Sequence, residues 1–190
     1  YDALQSESGL TKVSVIGIGI TFRVLMDPFD GLINQALALI GVEGPGWLTD
    51  PSLALLSVAA VEVWRGVGLA TLIFIAGIVA IPQEYFEAAK IDGATAFQNF
   101  WNVTLPLLKP ASVTVIILSL IGGLRSFDLI WAMTKGGPGF TSDVIASVIF
   151  KQYQAGFYGL SSAGNVVLFL VVTAIIVPIF WLLNRKETEL

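Results

Sequence analysis

Apolar residues along this chain are concentrated in four stretches that are separated by more polar segments. The four stretches are residues 13–26, 53–81, 111–133 and 163–183. A helix needs about 20 predominantly apolar residues to cross the hydrocarbon core of a bilayer. The last three stretches reach that length, whereas the first is shorter and contains Arg23. The pattern predicts an all-α, multi-pass transmembrane helix bundle that forms a single domain over residues 1–190.

Two of the intervening segments contain helix breakers. Residues 27–51 include a short apolar run, 31–42, followed by Gly-Pro-Gly and Trp47. Tryptophan is enriched at membrane–water interfaces, so this segment is interpreted as an interfacial or re-entrant piece with Trp47 at the headgroup level. Residues 135–162 open with Lys-Gly-Gly-Pro-Gly, in which the glycine and proline residues end a helix and start a loop.

The segment between the second and third stretches, residues 82–110, is polar but regular. Phe86, Ala89 and Gly93 recur at spacings of three and four, which places them on one face of a helix. Asp92-Gly93 is a turn signal, and glycine favours the left-handed conformation that ends many helices. The segment is therefore predicted to form two short helices joined by a glycine bend. Because it carries its own apolar face, we expect it to pack against another surface.

Composition supports a membrane protein and excludes several kinds of chemistry. Hydrophobic residues make up 55% of the chain and charged residues only 13%, whereas soluble domains carry about 25% charged residues. The chain contains no His and no Cys, so disulfides, thiol nucleophiles, imidazole bases and the usual zinc sites are excluded. Its net charge of -4 does not fit a nucleic-acid partner. We expect no catalytic residue, no metal site and no nucleic-acid binding.

Basic residues in short loops predict the orientation in the membrane. Lys90 and Lys109 lie in the segment 82–110, and Arg185 and Lys186 follow the last apolar stretch. Because Lys and Arg are more frequent in cytoplasmic loops, both places are expected in the cytoplasm. The segments 27–51 and 135–162 are then expected outside.

The beginning of the chain predicts that it is a fragment. Residues 1–12 are polar, without an initiator Met. They show no signal-peptide pattern, which would need a basic start and an apolar centre. We expect that one or more helices precede this sequence in the whole protein.

Residues 87–94, Glu-Ala-Ala-Lys-Ile-Asp-Gly-Ala, resemble the EAA loop of binding-protein-dependent ABC importer permeases. As in that family's pattern, Gly93 lies four residues after Ala89. An apolar residue, Val103, lies ten residues after Gly93 and is followed by Leu105-Pro106. Residues 127–130, Phe-Asp-Leu-Ile, and the Thr-Lys-Gly-Gly-Pro run after them are similar to the carbohydrate-uptake branch. Within that branch they resemble the first permease, which is related to the larger maltose-transporter membrane subunit.

The resemblance implies a permease subunit of an ATP-driven sugar importer in a bacterial inner membrane. Its implied partners are a second permease subunit, two ABC ATPase subunits, an external solute-binding protein and a sugar. The ATPase subunits would bind ATP and Mg²⁺, so this chain would hold no cofactor and no ATPase site. The resemblance also implies that the EAA loop couples the chain to the ATPase through these residues: Glu87, Ala88, Ala89, Asp92, Gly93, Ala94, Leu105 and Pro106.

Polar and aromatic side chains within the apolar stretches are candidates for the translocation path. These candidates are Glu62, Arg65, Asp128, Trp131 and Asn165. A charge at the membrane centre costs about 2.5–3.5 kcal/mol, which favours a polar path or a partner. Alternative interpretations are ion pairs of Glu62 with Arg65 and of Arg125 with Asp128, which are three residues apart on one helix face. Asn165 alternatively forms an interhelical hydrogen bond.

Three other functions are consistent with parts of this pattern. An ABC permease for an amino acid or phosphate would have the same architecture. An ion-coupled secondary transporter often shows inverted repeats and broken midplane helices, and the sequence shows no convincing repeat. A membrane enzyme is disfavoured, because the chain lacks His, Cys and clustered carboxylates within its apolar stretches.

Overall fold

The computed structural model describes residues 15–184, and every regular element in that range is a helix. The helices are α1 Val15–Leu25, α2 Leu32–Leu39, α3 Ala54–Val79, α4 Gln83–Ile91, α5 Ala96–Asn99, α6 Leu105–Leu107, α7 Lys109–Leu124, α8 Asp128–Met133, α9 Ile145–Gln154 and α10 Tyr158–Asn184. A π-helical turn, Phe100–Thr104, joins α5 to α6. The predicted all-α fold is confirmed. The polar start of the chain, the beginning of the first apolar stretch and the basic pair Arg185-Lys186 lie outside the described residues.

Two helices in the described range, α3 and α10, are long and apolar enough to cross a membrane. They have 26 and 27 residues and coincide with the second and fourth apolar stretches, although α10 begins earlier, at Tyr158. The third stretch is divided between α7 and α8. A third crossing is possible by length if Ala96–Leu107 and Lys109–Leu124, which meet at an angle of 60°, count as one broken span. The helix α1 is shorter than a full span.

The break between α7 and α8 follows from glycine. Gly122 and Gly123 weaken the end of α7, since glycine costs about 1 kcal/mol relative to alanine inside a helix. The helix ends at Leu124 and the next one begins at Asp128. The expectation that Arg125 and Asp128 share one helix face is therefore wrong, because Arg125 lies in the break.

The described residues form two compact units, each considered separately. Unit 1 contains residues 15–64 and 125–171, and unit 2 contains residues 65–124 and 172–184. The buried core of unit 1 joins α1, α3 and α8. Its members are Met26, Val58, Val61, Leu129, Ile130 and Met133. Helices that are far apart in sequence are thus held together by one apolar cluster.

Small and aromatic residues set how closely the helices of unit 1 approach. A Cβ atom added at Gly19 would lie 2.6 Å from the Cβ of Ala132, so α1 and α8 are in close contact there. The rings of Phe22 and Trp64 meet edge to face with centroids 5.2 Å apart, which packs α1 against α3.

The segment between α1 and α3 folds around one buried amide, Asn34. Its side-chain nitrogen donates hydrogen bonds to the carbonyl oxygens of Pro28 and Pro45, each at 3.2 Å. Its oxygen accepts the indole N–H of Trp47 at 2.6 Å, and the Ser57 hydroxyl donates to the carbonyl of Trp47 at 2.8 Å. The indole N–H of Trp47 is therefore paired within unit 1, and its position at the headgroup level stays a prediction.

Replacing Asn34 by alanine is expected to destabilise unit 1. Asn34→Ala leaves the half-buried indole N–H of Trp47 and the Pro28 carbonyl without this partner, which costs about 1–3 kcal/mol per unsatisfied group. The Pro45 carbonyl keeps the backbone N–H of Trp47. We expect a lower midpoint of denaturant unfolding, followed by tryptophan fluorescence of the full-length protein in detergent. Gln35→Ala is the matched control, because the Gln35 amide donates to the Asp30 carbonyl at the exposed surface. Equal midpoints for the two variants would contradict the role of Asn34.

Candidate functional site

The segment that carries the Glu-Ala-Ala motif lies in unit 2 and consists of two short helices with a bend, as predicted. The first helix, α4, has Glu84 in its first turn and Lys90 in its last turn, which suits the helix dipole. The bend is at Gly93, whose φ of +74° lies in the left-handed region that glycine adopts without strain. The N–H of Gly93 donates to the carbonyl of Lys90, which closes the end of the helix.

The second part of the segment begins with a reciprocal cap. The Thr95 hydroxyl accepts the N–H of Gln98 at 3.3 Å, and the Gln98 side-chain oxygen accepts the N–H of Thr95 at 2.8 Å. The chain then runs through α5, the π-helical turn and α6, where Leu105 and Pro106 lie. The cap fixes where this helix starts relative to the bend.

The structure separates the two faces of α4. Phe86 and Ala89 are half-buried within unit 2, and Phe86 lines a small cavity with residues of α5. The opposite face is exposed and follows helical spacing. It consists of Glu84, Glu87, Ala88 and Ile91. We call this set the outer face of α4; its apolar end, Ile91, is 86% exposed.

The remaining residues of the predicted coupling set lie in the same unit, and most of them are exposed. Asp92, Gly93, Leu105 and Pro106 are exposed, whereas Ala94 is half-buried. Spacing alone identified Phe86, Ala89 and Gly93 as one face. It did not show that part of this face packs against the neighbouring helix of the same segment.

A cluster of aromatic rings lies in unit 1. The ring centroids of Phe127 and Trp131 are 5.6 Å apart, and Phe150 lies 5.0 Å from Phe127 and 4.8 Å from Trp131. Beside them is an open cavity of about 270 Å³, the aromatic pocket, lined by Phe127, Phe150 and Asn165 among others. The structure thus brings two predicted path candidates, Trp131 and Asn165, to the same group of rings.

The polar groups of the aromatic pocket come from α10 and α9. The Asn165 amide nitrogen donates to the Ser161 carbonyl at 3.1 Å, and no residue between 15 and 184 donates to its amide oxygen. Tyr153 and Ser161 also line the pocket. Sequence reasoning missed Phe150 and Tyr153, because residues 135–162 were interpreted as a loop and the helix Ile145–Gln154 was not predicted.

Asn165 is the predicted path candidate that lines this pocket, and Trp131 packs against two of its rings; the three charged candidates do not line it. Asp128 is exposed at the start of α8. Glu62 and Arg65 lie three residues apart on α3, Glu62 in unit 1 and Arg65 in unit 2. No cluster of three or more metal-binding side chains occurs between residues 15 and 184.

The loop after α8 is held by a partly buried ion pair. The Lys151 ammonium lies 2.7 Å and 2.9 Å from the two carboxylate oxygens of Asp143, and the Ser147 hydroxyl donates to Asp143 at 2.8 Å. The Asp143 side chain is only 7% exposed. Gly136 packs directly on this pair and has a φ of +88°, so a side chain at that position would collide with the Asp143 carboxylate.

Hydroxyl groups fasten the same loop at its two ends. The hydroxyls of Thr134 and Ser142 are 2.7 Å apart, and Ser142 also lies within hydrogen-bond distance, 2.6 Å, of the Gly137 carbonyl. The loop from 134 to 143 is therefore a fixed structure. Sequence reasoning identified its glycines as helix breakers but missed Asp143 and Lys151, because a spacing of eight is outside the range of helical pairs.

Residues 13–186 match the family described as "Binding-protein-dependent transport system inner membrane component". The trehalose/maltose transport system permease protein MalF of Thermococcus litoralis is 40% identical over 152 residues, which are 80% of this chain and 52% of that protein. The putative ABC transporter permease protein ORF1 of a Caldicellulosiruptor species is 44% identical over 139 residues, which are 73% of this chain and 99% of that protein.

The fold also matches a solved transporter. A bacterial alginate ABC transporter, in complex with an alginate pentasaccharide-bound periplasmic protein, superposes with a TM-score of 0.77 and 25% identity, over 94% of this chain and 61% of that one. This chain spans about half the length of the Thermococcus relative.

Loss of the negative charge at Asp143 is expected to loosen the loop that it holds. Asp143→Asn removes a hydrogen-bonded charge pair, which is worth about 1.5–3 kcal/mol, and leaves the Lys151 ammonium without its partner. Amide hydrogen exchange in residues 134–143 should become about 10- to 100-fold faster in the full-length protein, measured by mass spectrometry. Asp30→Asn, at an exposed position, is the control and should leave this exchange unchanged. Unchanged protection in Asp143→Asn would show that the ion pair does not hold the loop.

Proposed function

Because this chain belongs to the family of binding-protein-dependent transport system inner membrane components, we propose that it is a permease subunit of an ATP-driven sugar importer. Its helices form part of the translocation path through the cell membrane. Separate ATPase subunits bind ATP and Mg²⁺ and dock on the segment 82–110. The chain itself carries no ATPase site and catalyses no reaction.

The observation that carries this proposal is the outer face of α4. Its glutamates are available to basic residues of a partner, although an exposed ion pair contributes only about 0–1 kcal/mol. Ala88 has a small side chain that permits close approach, and Ile91 offers apolar surface that a partner would bury. The combination fits a helix that inserts into a groove of the ATPase. Movement of the ATPase would then be transmitted to the helices beyond the bend.

The proposed orientation places this face in the cytoplasm. Lys90 and Lys109 in the segment 82–110 support that side, since basic residues are enriched in cytoplasmic loops. The segments 27–51 and 135–162 then lie outside, where they meet the solute-binding protein. A second permease subunit completes the path.

A sugar is the proposed cargo on two grounds. One is the similarity to sugar transporters. The Thermococcus relative is named for the transport of trehalose and maltose, and the solved transporter is named for alginate. The other is the aromatic pocket, where Phe127 and Phe150 provide flat apolar rings and Asn165 provides a polar amide. Trp131 packs against both rings. Sugars present both C–H faces and hydroxyl groups, so a site of this composition fits them.

Docking of the outer face of α4 is tested by cross-linking. This chain has no native Cys, so Ala88→Cys can be introduced alone and combined with single cysteines in the groove of the candidate ATPase. We expect an oxidative cross-link whose yield changes when ATP is added, because the ATPase moves relative to the loop. Leu118→Cys, which is 45% exposed on α7, is the control and should not cross-link.

The cross-linking test has a defined negative result. If Ala88→Cys gives no cross-link at any groove position in a complex shown to be assembled, α4 does not dock there. The coupling role would then be rejected. A cross-link that is insensitive to ATP would support docking but contradict a part in energy coupling.

The path role of the aromatic pocket is tested by transport kinetics. Asn165→Ala removes a hydrogen bond worth about 0.5–1.5 kcal/mol, so the uptake rate should fall about 2- to 10-fold while basal ATP hydrolysis is unchanged. The measurement uses labelled trehalose, maltose and arabinose with saturating binding protein in proteoliposomes. Val166→Ala, at the exposed neighbouring position of α10, should transport normally. Normal uptake by Asn165→Ala would remove this residue from the path.

A further inference from the structure

A second cleft in unit 1 lies apart from the aromatic pocket and shares no lining residue with it. It opens between the end of α1, the corner at Leu48 and Thr49, and the loop after α8. Its volume is about 340 Å³, which is within the range of small-molecule sites. The cleft is therefore large enough for a sugar unit.

The walls of this cleft are fixed before any ligand arrives. On one side, the carboxylate of Asp27 accepts the N–H groups of Phe29 and Asp30 at 2.9 Å and 3.0 Å, which holds the turn after α1. On the other side, Thr134 and Gly137 are fastened by Ser142 as described above. A preformed site loses little conformational entropy when it binds.

Three polar side chains on the walls retain unused hydrogen-bonding capacity. Among residues 15–184, none provides a hydrogen-bond or ion-pair partner for the Arg23 guanidinium or the Thr49 hydroxyl, and the turn uses only one of the two Asp27 carboxylate oxygens. The backbone N–H groups of Asp30 and Phe29 lower the pKa of Asp27 below its ordinary value, so this group is a carboxylate at neutral pH. The cleft thus presents strong donors, a strong acceptor and a hydroxyl.

Apart from Thr134, whose hydroxyl is paired with Ser142, the remaining side chains of the lining are apolar. Met26, Leu48 and Met133 contribute side chains to the cleft, and Met26 and Met133 belong to the buried core. The charges of Arg23 and Asp27 cancel, so the cleft has no net charge that would favour an anion or a cation. A neutral molecule with adjacent hydroxyl groups and a C–H face matches all of these groups, because each hydroxyl both donates and accepts hydrogen bonds.

We propose that this cleft is an additional sugar-binding site, in which Arg23 and Asp27 bracket adjacent hydroxyl groups and Thr49 contacts the same sugar unit. The proposal rests on the sugar-import function proposed above. In the proposed orientation the cleft lies at the outer side of the membrane.

Protection of a single cysteine tests the site directly. Thr49→Cys is introduced into the assembled full-length transporter without other cysteines, and its alkylation rate by a charged thiol reagent is measured. Trehalose, maltose and arabinose are added separately at millimolar concentration. At least one sugar should slow alkylation, by about twofold at half-saturation. Two double variants, Thr49→Cys with Arg23→Gln and Thr49→Cys with Asp27→Asn, should each lose this protection. Asp27→Asn keeps the side-chain oxygen that accepts the N–H groups of Phe29 and Asp30, so the turn after α1 is preserved.

The control cysteine is Leu39→Cys, which is 89% exposed and does not line the cleft. No sugar should protect it. Absence of protection at Thr49→Cys, or equal protection at both positions, would overturn the site. Uptake of the same sugars is measured on the same preparation. Uptake without protection rejects the cleft alone, whereas absence of uptake for every sugar counts against the proposed function.

Discussion

Backbone N–H and C=O groups that are buried away from water or lie in lipid must find partners within the protein, because an unpaired buried group costs free energy. Long helices such as α3 and α10 meet this requirement by themselves. The connections between helices cannot, and in unit 1 they depend on a few polar side chains. Asn34 serves two carbonyls and an indole in one connection. In another connection, Ser142 and Asp143 serve the loop that follows α8.

What could be predicted from the sequence are the features that depend on local properties of the chain. The length and apolarity of α3 and α10, the all-α fold and the bend at Gly93 depend on local properties, so reading the chain segment by segment was sufficient. The break after Leu124 was missed because apolar residues continue on both sides of it. The contact of Trp47 with Asn34 depends on tertiary packing across thirteen positions, which no local pattern encodes.

The candidate sites show the same difference between local features, which the sequence predicts, and tertiary contacts, which it does not. Helical spacing placed Phe86 and Ala89 correctly on one face of α4, whereas Gly93, assigned to the same face, lies in the bend and is exposed. Only packing within unit 2 decides which face of α4 is left for a partner. In the aromatic pocket, Asn165 was recognised as a polar residue in an apolar stretch, whereas Phe150 and Tyr153 lie on a helix that the sequence presented as part of a loop. Sequence reasoning therefore identified chemical types better than it identified neighbours.

The π-helical turn at Phe100–Thr104 has a consequence for the evolution of this chain. A π turn contains one residue more than the α-helical turn that it replaces, and one residue corresponds to about 100° of rotation. The wider turn absorbs that extra residue, so a single deletion there would restore a regular α-helix and leave the residues on either side nearly in register. This turn is thus a place where the chain can lose a residue while α4 keeps its direction relative to Leu105 and Pro106.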